Sequence, residues 1–486
     1  MGSSTVRLVA ALIASTMTVG TLTAQSVASH PRVREAVAAY EKWLDGQRAF
    51  SRIPGVASAL VVDQEVIWQG GSGVADVDRK TPATASTLYS ICSISKLFTS
   101  IAALQLRDQG KLRLDDPVAK HLPWFRPPTE FSADGPITVE GLLTHAAGLQ
   151  RELADTLWLE PNMAFPSIEE VMAGVAAREV TYRPGQYFHY SNLGFTLAGA
   201  VVAAAAGRSY HDYVRAQILT PLGMSDTYSE MPPAERGKRL ATGYSGIDRD
   251  GNRHPMPFYQ TRAMAPAAGY ASSALDLARF ASWQFRLLDR GGAEVLAAPT
   301  LREMQRVHFV DPGWETTWGL GFEVWRHDGK TFVGHGGSCP GYRTHLLLKP
   351  DEKIATITMA NTFDANAMAL AQQAYQFLGP AVKEARADSA RTVAAADPSL
   401  DRYLGSYWSF GGEMEVIRWQ GGLATMAVPS ADPVKSITKY RKVGEHTFRE
   451  VRADGALGER MVFDIGPDGR PTRARTNYLF ARIPGR

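Results

Sequence analysis

Apolar positions follow a helical period in some parts of the chain and alternate in others, and this pattern predicts the order of the elements. Residues 32–50 carry apolar side chains at helical spacing and predict an opening amphipathic helix. Two apolar stretches at residues 55–62 and 65–73 predict a β-hairpin. From residue 93 to about residue 300 the pattern is mostly helical and is interrupted by Pro and Gly. Helices are predicted in this region at residues 138–143, 168–177, 193–206, 210–219 and 274–288.

Strand patterns return after this helical region. They lie at residues 319–325, 331–334, 344–348 and 354–359. Because strands at both ends flank a long helical insertion, we predict an α/β fold. The predicted fold has an antiparallel sheet that is built from both ends of the domain and flanked by helices. This sheet packs against a helical subdomain. A binding cleft is expected between the two parts. This predicted main domain covers residues 30–380.

The C-terminal part of the chain has a different pattern. Residues 381–398 are rich in alanine and charge, which predicts a linker. The remaining residues, 399–486, contain short alternating stretches separated by turns, which predict a small all-β barrel or sandwich. The predicted strands lie at residues 413–419, 423–427, 447–451, 461–465 and 473–480.

The N-terminus predicts export. Arg7 precedes an apolar run that ends near Leu22, and small residues follow up to Ala24. This arrangement is typical of a signal peptide over residues 1–24, so we expect a periplasmic or secreted protein. An uncleaved membrane anchor is the alternative, but the run is short and rich in threonine. We therefore expect no stable membrane insertion after cleavage.

Composition narrows the classes of function. Of 486 residues 45% are hydrophobic and 21% are charged, as in a soluble globular protein, and the formal charge of +3 is small for this length. Since no long basic run is present, a nucleic-acid partner is not expected. We expect a small molecule or a peptide as the ligand. No His-Glu-x-x-His pattern occurs, so neither a metal nor an organic cofactor is predicted.

The candidate nucleophile is Ser93, which lies three residues before Lys96. Residues three apart lie on one face of a helix, so the lysine amine can reach the serine hydroxyl. A second Ser-x-x-Lys, from Ser436 to Lys439, shows that the spacing alone is weak. An apolar helical run follows only Ser93, which places it at the start of a buried helix, where free N–H groups favour a developing anion.

Three more segments accompany this pair. Tyr190, Ser191 and Asn192 form a Tyr-x-Asn motif, His335-Gly336-Gly337-Ser338 follows an apolar strand, and residues 142–149 read Leu-Leu-Thr-His-Ala-Ala-Gly-Leu. In this order the motifs resemble those of the serine β-lactamase and penicillin-binding-protein superfamily. The most similar branch is that of the class C β-lactamase-related hydrolases, which include esterases, D-aminopeptidases and D,D-peptidases. The C-terminal region is similar to the lipocalin-like domain of many such hydrolases.

The resemblance implies a role for each residue. Ser93 would be acylated, and Lys96 and Tyr190 would relay the proton. Asn192 would bind the lysine and a substrate amide. The backbone N–H groups of Ser93 and Ser338 would form the oxyanion hole, and the strand residues His335 and Gly337 would bind substrate beside it. His145, within the segment 142–149, is expected only to pack.

Two features of the glycine-rich strand modify this expectation. Many β-lactamases carry Lys-Thr-Gly or Lys-Ser-Gly where this chain has His335-Gly336-Gly337, so a substrate carboxylate should be held more weakly. The two cysteines of the chain, Cys92 and Cys339, each adjoin a residue implied in the oxyanion hole. Some related carbapenemases have a disulfide at the matching positions, which implies one here. Two buried free thiols are the alternative.

The sequence therefore predicts an exported serine hydrolase that cleaves an ester or amide through an acyl-enzyme on Ser93. A true β-lactamase is one alternative. Another is a penicillin-binding protein or sensor that is acylated without turnover. An α/β-hydrolase is disfavoured because no Gly-x-Ser-x-Gly elbow is present.

Overall fold

An open nine-stranded antiparallel sheet and a closed eight-stranded barrel organise the part of the chain that the structure describes. The structure is a computed structural model, and it describes residues 26–154, 157–158, 163–388 and 397–485. The expected signal peptide, residues 1–24, lies outside these ranges. Among the helices of the described residues, none has the length and apolar character that a membrane crossing requires.

The helices lie mainly between the first hairpin and the later strands of the sheet, as the apolar pattern predicts. They are α1 Pro31–Phe50, α2 Ser95–Asp108, α3 Val118–His121, α4 Val139–Leu143, α5 Ile168–Ala176, α6 Asn192–Ala206, α7 Tyr210–Val214, α8 Ala265–Ala268, α9 Ala274–Arg290, α10 Ala298–Met304 and α11 Ala367–Asp388. The helix predicted at residues 210–219 is α7 followed by one π-helical turn, Arg215–Leu219.

The strands before the barrel form the sheet and two short ribbons. They are β1 Gly55–Val62, β2 Glu65–Asp76, β3 Thr81–Pro82, β4 Tyr89–Ser90, β5 Ala271–Ser272, β6 Ala293–Glu294, β7 Leu296–Ala297, β8 Phe309–Val310, β9 Thr317–Trp318, β10 Glu323–His327, β11 Lys330–Cys339, β12 Tyr342–Lys349 and β13 Ile354–Ala360. The strand order of the sheet is β3-β2-β1-β13-β12-β11-β10-β9-β8. The pairing of β1 with β13 confirms that both ends of the domain build one sheet.

The sheet is covered on both faces. All eight residues of β1 are buried. Ala57 and Ala59 belong to a core shared with α2 and α9, whereas Val56 and Leu60 belong to a second core with α1 and α11. Strands buried on both sides read as continuous apolar runs rather than as alternation, which explains the unbroken pattern of this segment.

The C-terminal strands close into a barrel, which confirms the predicted all-β domain. They are β14 Gly405–Ser409, β15 Gly412–Trp419, β16 Gly422–Val428, β17 Thr438–Lys442, β18 Thr447–Val451, β19 Leu457–Ile465, β20 Pro471–Arg475 and β21 Leu479–Arg482. Tyr403, Tyr407, Phe448 and Phe463 fill its interior. Its outer wall contributes to the core of α1 and α11, and the Trp43 indole N–H donates to the Ser430 carbonyl over 2.9 Å.

The linker predicted at residues 381–398 begins too early. Helix α11 continues to Asp388 and buries Ala381, Val382 and Ala385 against its neighbours. Alanine is the strongest helix former, so the alanine-rich composition that suggested a linker extends the helix instead. Residues 389–396 lie outside the described part, and Pro398–Tyr403 already forms a turn that packs on the barrel.

Candidate active site

Ser93 lies in a single 3-10 turn, Cys92–Ile94, that leads directly into α2. The turn is fixed by Ser95, whose hydroxyl donates to the Cys92 carbonyl over 2.5 Å and accepts from the Tyr270 N–H over 3.1 Å. Cys92 has a positive φ of 48°. The candidate nucleophile therefore lies just before the regular helix, close to the predicted position, and its side chain lines the cleft.

Lys96 lies on the first turn of α2 and is completely buried. Its Nζ lies 3.2 Å from the Ser93 Oγ, 2.7 Å from the Asn192 Oδ1 and 2.8 Å from the Ala267 carbonyl oxygen. Burial lowers the pKa of the Lys96 amine well below its ordinary value of 10.5. A neutral amine has two N–H bonds and one lone pair. In that neutral form the two N–H bonds can go to the acceptor oxygens of Asn192 and Ala267, which leaves the lone pair for the Ser93 hydroxyl.

Tyr190 completes this group from the segment that precedes α6. The Lys96 Nζ lies 4.8 Å from the centre of the Tyr190 ring. Burial raises the pKa of the Tyr190 hydroxyl, and a hydrogen bond to Ser93 opposes the shift only in part. The tyrosine therefore keeps its proton at neutral pH, and Lys96 is the group with the free lone pair.

Aromatic rings hold Tyr190 in place. His145 stacks on it with ring centroids 4.1 Å apart, and Trp318 meets it edge-on at 5.9 Å. The His145 Nδ1 also accepts a hydrogen bond from the Ser191 N–H over 3.0 Å. His145 was expected only to pack, and the structure shows that what it packs against is a residue of the site.

Asn192 is buried behind Lys96. Its Oδ1 accepts from Lys96, and its Nδ2 donates to the Glu152 Oε1 over 2.5 Å. The expected contact of Asn192 with a substrate amide stays a prediction, and Asn192 is not among the described residues that line the cleft. The predicted contact with the lysine is present. Glu152, which also accepts from the Trp158 indole N–H over 2.9 Å, was missed because no motif marks it.

Strand β11 brings the glycine-rich motif to the site. The His335 Nδ1 lies 2.6 Å from the Gly336 carbonyl oxygen, so this nitrogen carries the proton and the buried Nε2 is an acceptor without a partner among the described residues. Burial lowers the pKa of His335 to about 3, so the imidazole is neutral. A Cβ at Gly337 would lie 2.3 Å from the Ile91 carbonyl oxygen, so only glycine lets β11 approach the turn of Ser93 this closely.

A disulfide joins the two halves of the site. Cys92 and Cys339 are bonded, with their Cα atoms 5.7 Å apart and 247 positions apart in sequence. The bond connects the turn that carries Ser93 to the end of β11 that carries Ser338. These are the two residues whose N–H groups were predicted to form the oxyanion hole.

These side chains surround a cleft of about 320 Å³ between β11, the helical subdomain and the start of α11. Ser93, Tyr190, His335, Gly337 and Ser338 line it, as the motifs predict. None of the described residues that line this cleft belongs to the barrel. Sequence reasoning missed nine lining residues. Six of them are charged or polar: Arg151, Glu323, Arg343, Thr344, His345 and Asn366. The other three are apolar and lie at the start of α11 or just before it: Ala365, Ala367 and Met368.

The second Ser-x-x-Lys does not form a comparable site. The Ser436 hydroxyl donates to the Pro433 carbonyl over 2.8 Å, and the Lys439 Nζ donates to the Gln420 Oε1 over 2.5 Å. Both residues lie at the barrel, away from the cleft. The spacing alone therefore does not bring the two side chains together.

Comparison with known proteins agrees with this geometry. The profile of the Beta-lactamase family matches residues 40–380. Protein flp of Staphylococcus aureus is 26% identical over 319 residues, which are 64% of this chain and 60% of that protein. The chain thus spans 60% of the length of that relative. Penicillin-binding protein 4 of Amycolatopsis lactamdurans is 26% identical over 66% of this chain and 84% of its own length.

Solved structures show the same fold. The octameric penicillin-binding protein homologue of Pyrococcus abyssi superposes with a TM-score of 0.63 at 25% identity and covers 92% of this chain and all 100% of its own. A D-stereospecific amidohydrolase of Streptomyces sp. superposes with a TM-score of 0.58 at 25% identity, over 70% of this chain and 98% of its own.

The fold and the family match define a member of the serine β-lactamase and penicillin-binding-protein superfamily. The chain belongs to the Beta-lactamase family, whose profile matches most of its length.

Proposed function

We propose that this enzyme cleaves an ester or amide bond through an acyl-enzyme on Ser93, with Lys96 and Tyr190 as the proton relay. The observation that carries the proposal is the buried Lys96 Nζ, which lies 3.2 Å from the Ser93 Oγ and within hydrogen-bond distance of two other acceptors, the Asn192 Oδ1 and the Ala267 carbonyl oxygen. A neutral amine in this position is a general base for the serine hydroxyl.

The first step is attack by the Ser93 oxygen on the substrate carbonyl carbon. The serine proton moves to Lys96, and the carbonyl oxygen becomes an oxyanion. The N–H groups of Ser93 and Ser338 lie on the two segments that the disulfide joins, and they would stabilise that charge. Stabilisation by such fixed donors is often the largest single contribution to the rate of acyl transfer.

In the second step the intermediate collapses and expels the alcohol or amine. The Tyr190 hydroxyl donates a proton to the leaving group and is reprotonated by Lys96. The products are the free alcohol or amine and an ester on Ser93. Water then cleaves this ester by the same relay in reverse and regenerates the serine.

An ester or a small amide is a better substrate for this cleft than a β-lactam. His335 is neutral and Gly336 has no hydroxyl, so β11 offers neither the charge nor the hydroxyl with which a Lys-Thr-Gly strand holds a carboxylate.

The second candidate is a penicillin-binding protein that is acylated by its ligand and loses the acyl group only slowly. The similarity to Penicillin-binding protein 4 and to the penicillin-binding protein homologue favours it. Long-lived, stoichiometric labelling by a fluorescent penicillin, without hydrolysis of esters or D-amino acid amides, would support this candidate over the first.

The enzyme is also proposed to be exported. The apolar run after Arg7 supports this proposal, and a structural disulfide is typical of oxidising compartments. The intact mass of the mature protein tests it: loss of residues 1–24 or a few more is expected, and retention of the full N-terminus in the cell would contradict it.

The experiment for the catalytic proposal compares Ser93→Ala with Ser436→Ala. Both variants remove the serine of a Ser-x-x-Lys pair, but only Ser93 lines the cleft. We expect hydrolysis of 4-nitrophenyl esters to be lost in Ser93→Ala and kept in Ser436→Ala. Undiminished hydrolysis by Ser93→Ala would refute the assignment of the nucleophile.

A further inference from the structure

In the proposed mechanism, Asn192 has to present its side-chain oxygen, and not its nitrogen, to Lys96. The Asn192 Oδ1 and the Lys96 Nζ lie 2.7 Å apart. If the amide were turned over, its N–H would donate to the neutral amine and occupy the lone pair. Lys96 could then no longer accept the proton of the Ser93 hydroxyl. The orientation of this one amide therefore decides whether Lys96 can act as a base.

Glu152 contacts the other end of the same amide. Its Oε1 lies 2.5 Å from the Asn192 Nδ2 and 2.9 Å from the Trp158 Nε1. An indole nitrogen can only donate, so Oε1 accepts at that contact, and a proton on the carboxyl group is better placed on Oε2. In an asparagine amide only the nitrogen can donate to an acceptor oxygen. The contact with Glu152 therefore directs the nitrogen of Asn192 away from Lys96 and the oxygen towards it.

The Glu152 carboxyl group is held in place away from water. Its side chain is 11% exposed, and its Oε2 has no hydrogen-bond partner among the described residues. Burial raises its pKa above the ordinary value of 4.5, although the hydrogen bonds from Trp158 and Asn192 oppose this shift. The indole of Trp158 is itself packed edge-on against Phe165, with ring centroids 4.8 Å apart. Because a buried acceptor is costly to leave unpaired, the Glu152 Oε1 holds the nitrogen of Asn192 on its own side.

No other described residue can take the place of Glu152 at this amide. Among the described residues, the side chain of Asn192 has hydrogen-bond contacts only with Lys96 and Glu152. The Arg151 Nε lies 3.6 Å from the Glu152 Oε1, but a guanidinium can only donate. Glu323 is an acceptor near Lys96, but it lines the cleft, whereas Asn192 is buried behind the lysine.

We propose that Glu152 is a positioning residue that orients the amide of Asn192. In this orientation the amide oxygen binds Lys96, and the lone pair of the lysine stays free for the Ser93 hydroxyl. The inference rests on the proposed hydrolase function and adds a residue to its proton relay. Since Glu152 is not among the described residues that line the cleft, it acts on the reaction through Asn192.

Two replacements of Glu152 test this role with a 4-nitrophenyl ester as substrate. Methionine has a similar length but offers no acceptor oxygen, so Asn192 can turn over in Glu152→Met. We expect kcat to fall about 10- to 100-fold with little change in KM, because part of the contribution of a general base is lost. Glutamine keeps a carbonyl oxygen for Trp158 and Asn192, so Glu152→Gln should keep kcat within about threefold of the wild type.

Glu415→Met is the matched control. Glu415 is a buried carboxylate of the barrel whose Oε1 accepts from the Ser406 hydroxyl. As in Glu152, its Oε2 has no hydrogen-bond partner among the described residues, and burial raises its pKa. We expect Glu415→Met to keep the kcat of the wild type. A loss of kcat in Glu152→Met alone would then not be a general effect of removing a buried carboxylate.

A double variant shows whether Glu152 acts through Asn192. Asn192→Ala removes the amide that Glu152 orients. We therefore expect Glu152→Met to cause no further loss of kcat when Asn192 is already alanine, because the two replacements interrupt one contact. A residue that only stabilises the fold would lower kcat by the same factor in both backgrounds. Circular dichroism checks that each variant is folded.

The outcomes separate the positioning role from the hydrolase function. Normal kcat in Glu152→Met, or an equal loss with and without the Asn192 amide, would overturn the role while the hydrolase function stands. If Glu152→Met does not fold, Glu152→Gln decides: kcat close to the wild type supports the role, and a larger loss overturns it. If the wild type hydrolyses neither 4-nitrophenyl esters nor D-amino acid amides, the hydrolase function is overturned and the positioning role with it.

Discussion

The imidazole of His145 lies face to face with the phenol ring of Tyr190, with ring centroids 4.1 Å apart and planes 28° apart. The same imidazole accepts the N–H of Ser191, the residue between Tyr190 and Asn192. Burial lowers the pKa of His145 well below 6.5, so the ring is neutral and its Nδ1 is free to accept. His145 is therefore a positioning residue, since it acts through Tyr190.

Replacing His145 tests this relationship. In His145→Ala the Tyr190 ring loses its stacked neighbour, and we expect kcat for an ester to fall by about 10- to 100-fold with little change in KM, because a small misplacement of a catalytic group is costly. His145→Phe keeps a ring and should recover part of kcat. The exposed His254 is the control, and its replacement by alanine should change neither constant. Normal kcat in His145→Ala would contradict the positioning role.

The pH dependence of kcat/KM follows from Lys96. In the proposed mechanism the active form is the neutral amine, so the rate should rise with pH as Lys96 loses its proton. Because burial lowers the pKa of Lys96 well below 10.5, the rising limb should end well below that pH. His335 does not contribute near neutrality, since its pKa of about 3 leaves it uncharged there.

Glu323 could also produce a pH-dependent change of rate near neutrality, because burial raises its pKa to about 7. A variant of Glu323 therefore serves as the control. Glu323→Gln should keep the rising limb if Lys96 causes it. Lys96→Arg should abolish the activity, since a guanidinium keeps its proton. A rising limb that ends at or above pH 10.5, or activity that survives in Lys96→Arg, would be incompatible with a buried neutral Lys96 as the base.

Loss of the disulfide between Cys92 and Cys339 is expected to change both the stability of the protein and its kcat. Removing it in Cys92→Ala/Cys339→Ala should lower the free energy of unfolding by about 2–4 kcal/mol, because the bond closes a long loop. It should also lower kcat more than it raises KM, since the two segments with the oxyanion N–H groups lose their link. Peptide mass spectrometry without reduction checks the bond itself. Two free thiols in the native protein would contradict it.

Local patterns were sufficient for much of the fold and for part of the site. The i, i+3 spacing of Ser93 and Lys96 and the apolar run of α2 are local features, so their proximity could be predicted. The extent of β11 was underestimated, because Gly334, Gly336 and Gly337 interrupt the apolar pattern while backbone pairing with β12 continues. The start of the linker was placed too early because the alanines after residue 380 continue helix α11 instead of ending it.

Contacts between distant segments could not be read from spacing. Glu152 meets Asn192 across 40 positions, and Arg343 enters the cleft only because β12 pairs with β11. The packing of the barrel against the main domain could not be predicted from local patterns either. Its outer wall shares a core with α1 and α11, and the described residues that line the cleft come from the main domain.

The most direct measurement is the site of the covalent intermediate. The enzyme is mixed with a fluorescent penicillin or an activated ester, quenched in acid within the first turnovers, digested and analysed by peptide mass spectrometry. We predict an acyl group on the peptide that contains Ser93, present in Ser436→Ala and absent in Ser93→Ala. Acylation of another residue would contradict the assignment of Ser93 as the nucleophile. Turnover without an adduct on Ser93 at any quench time would contradict it as well.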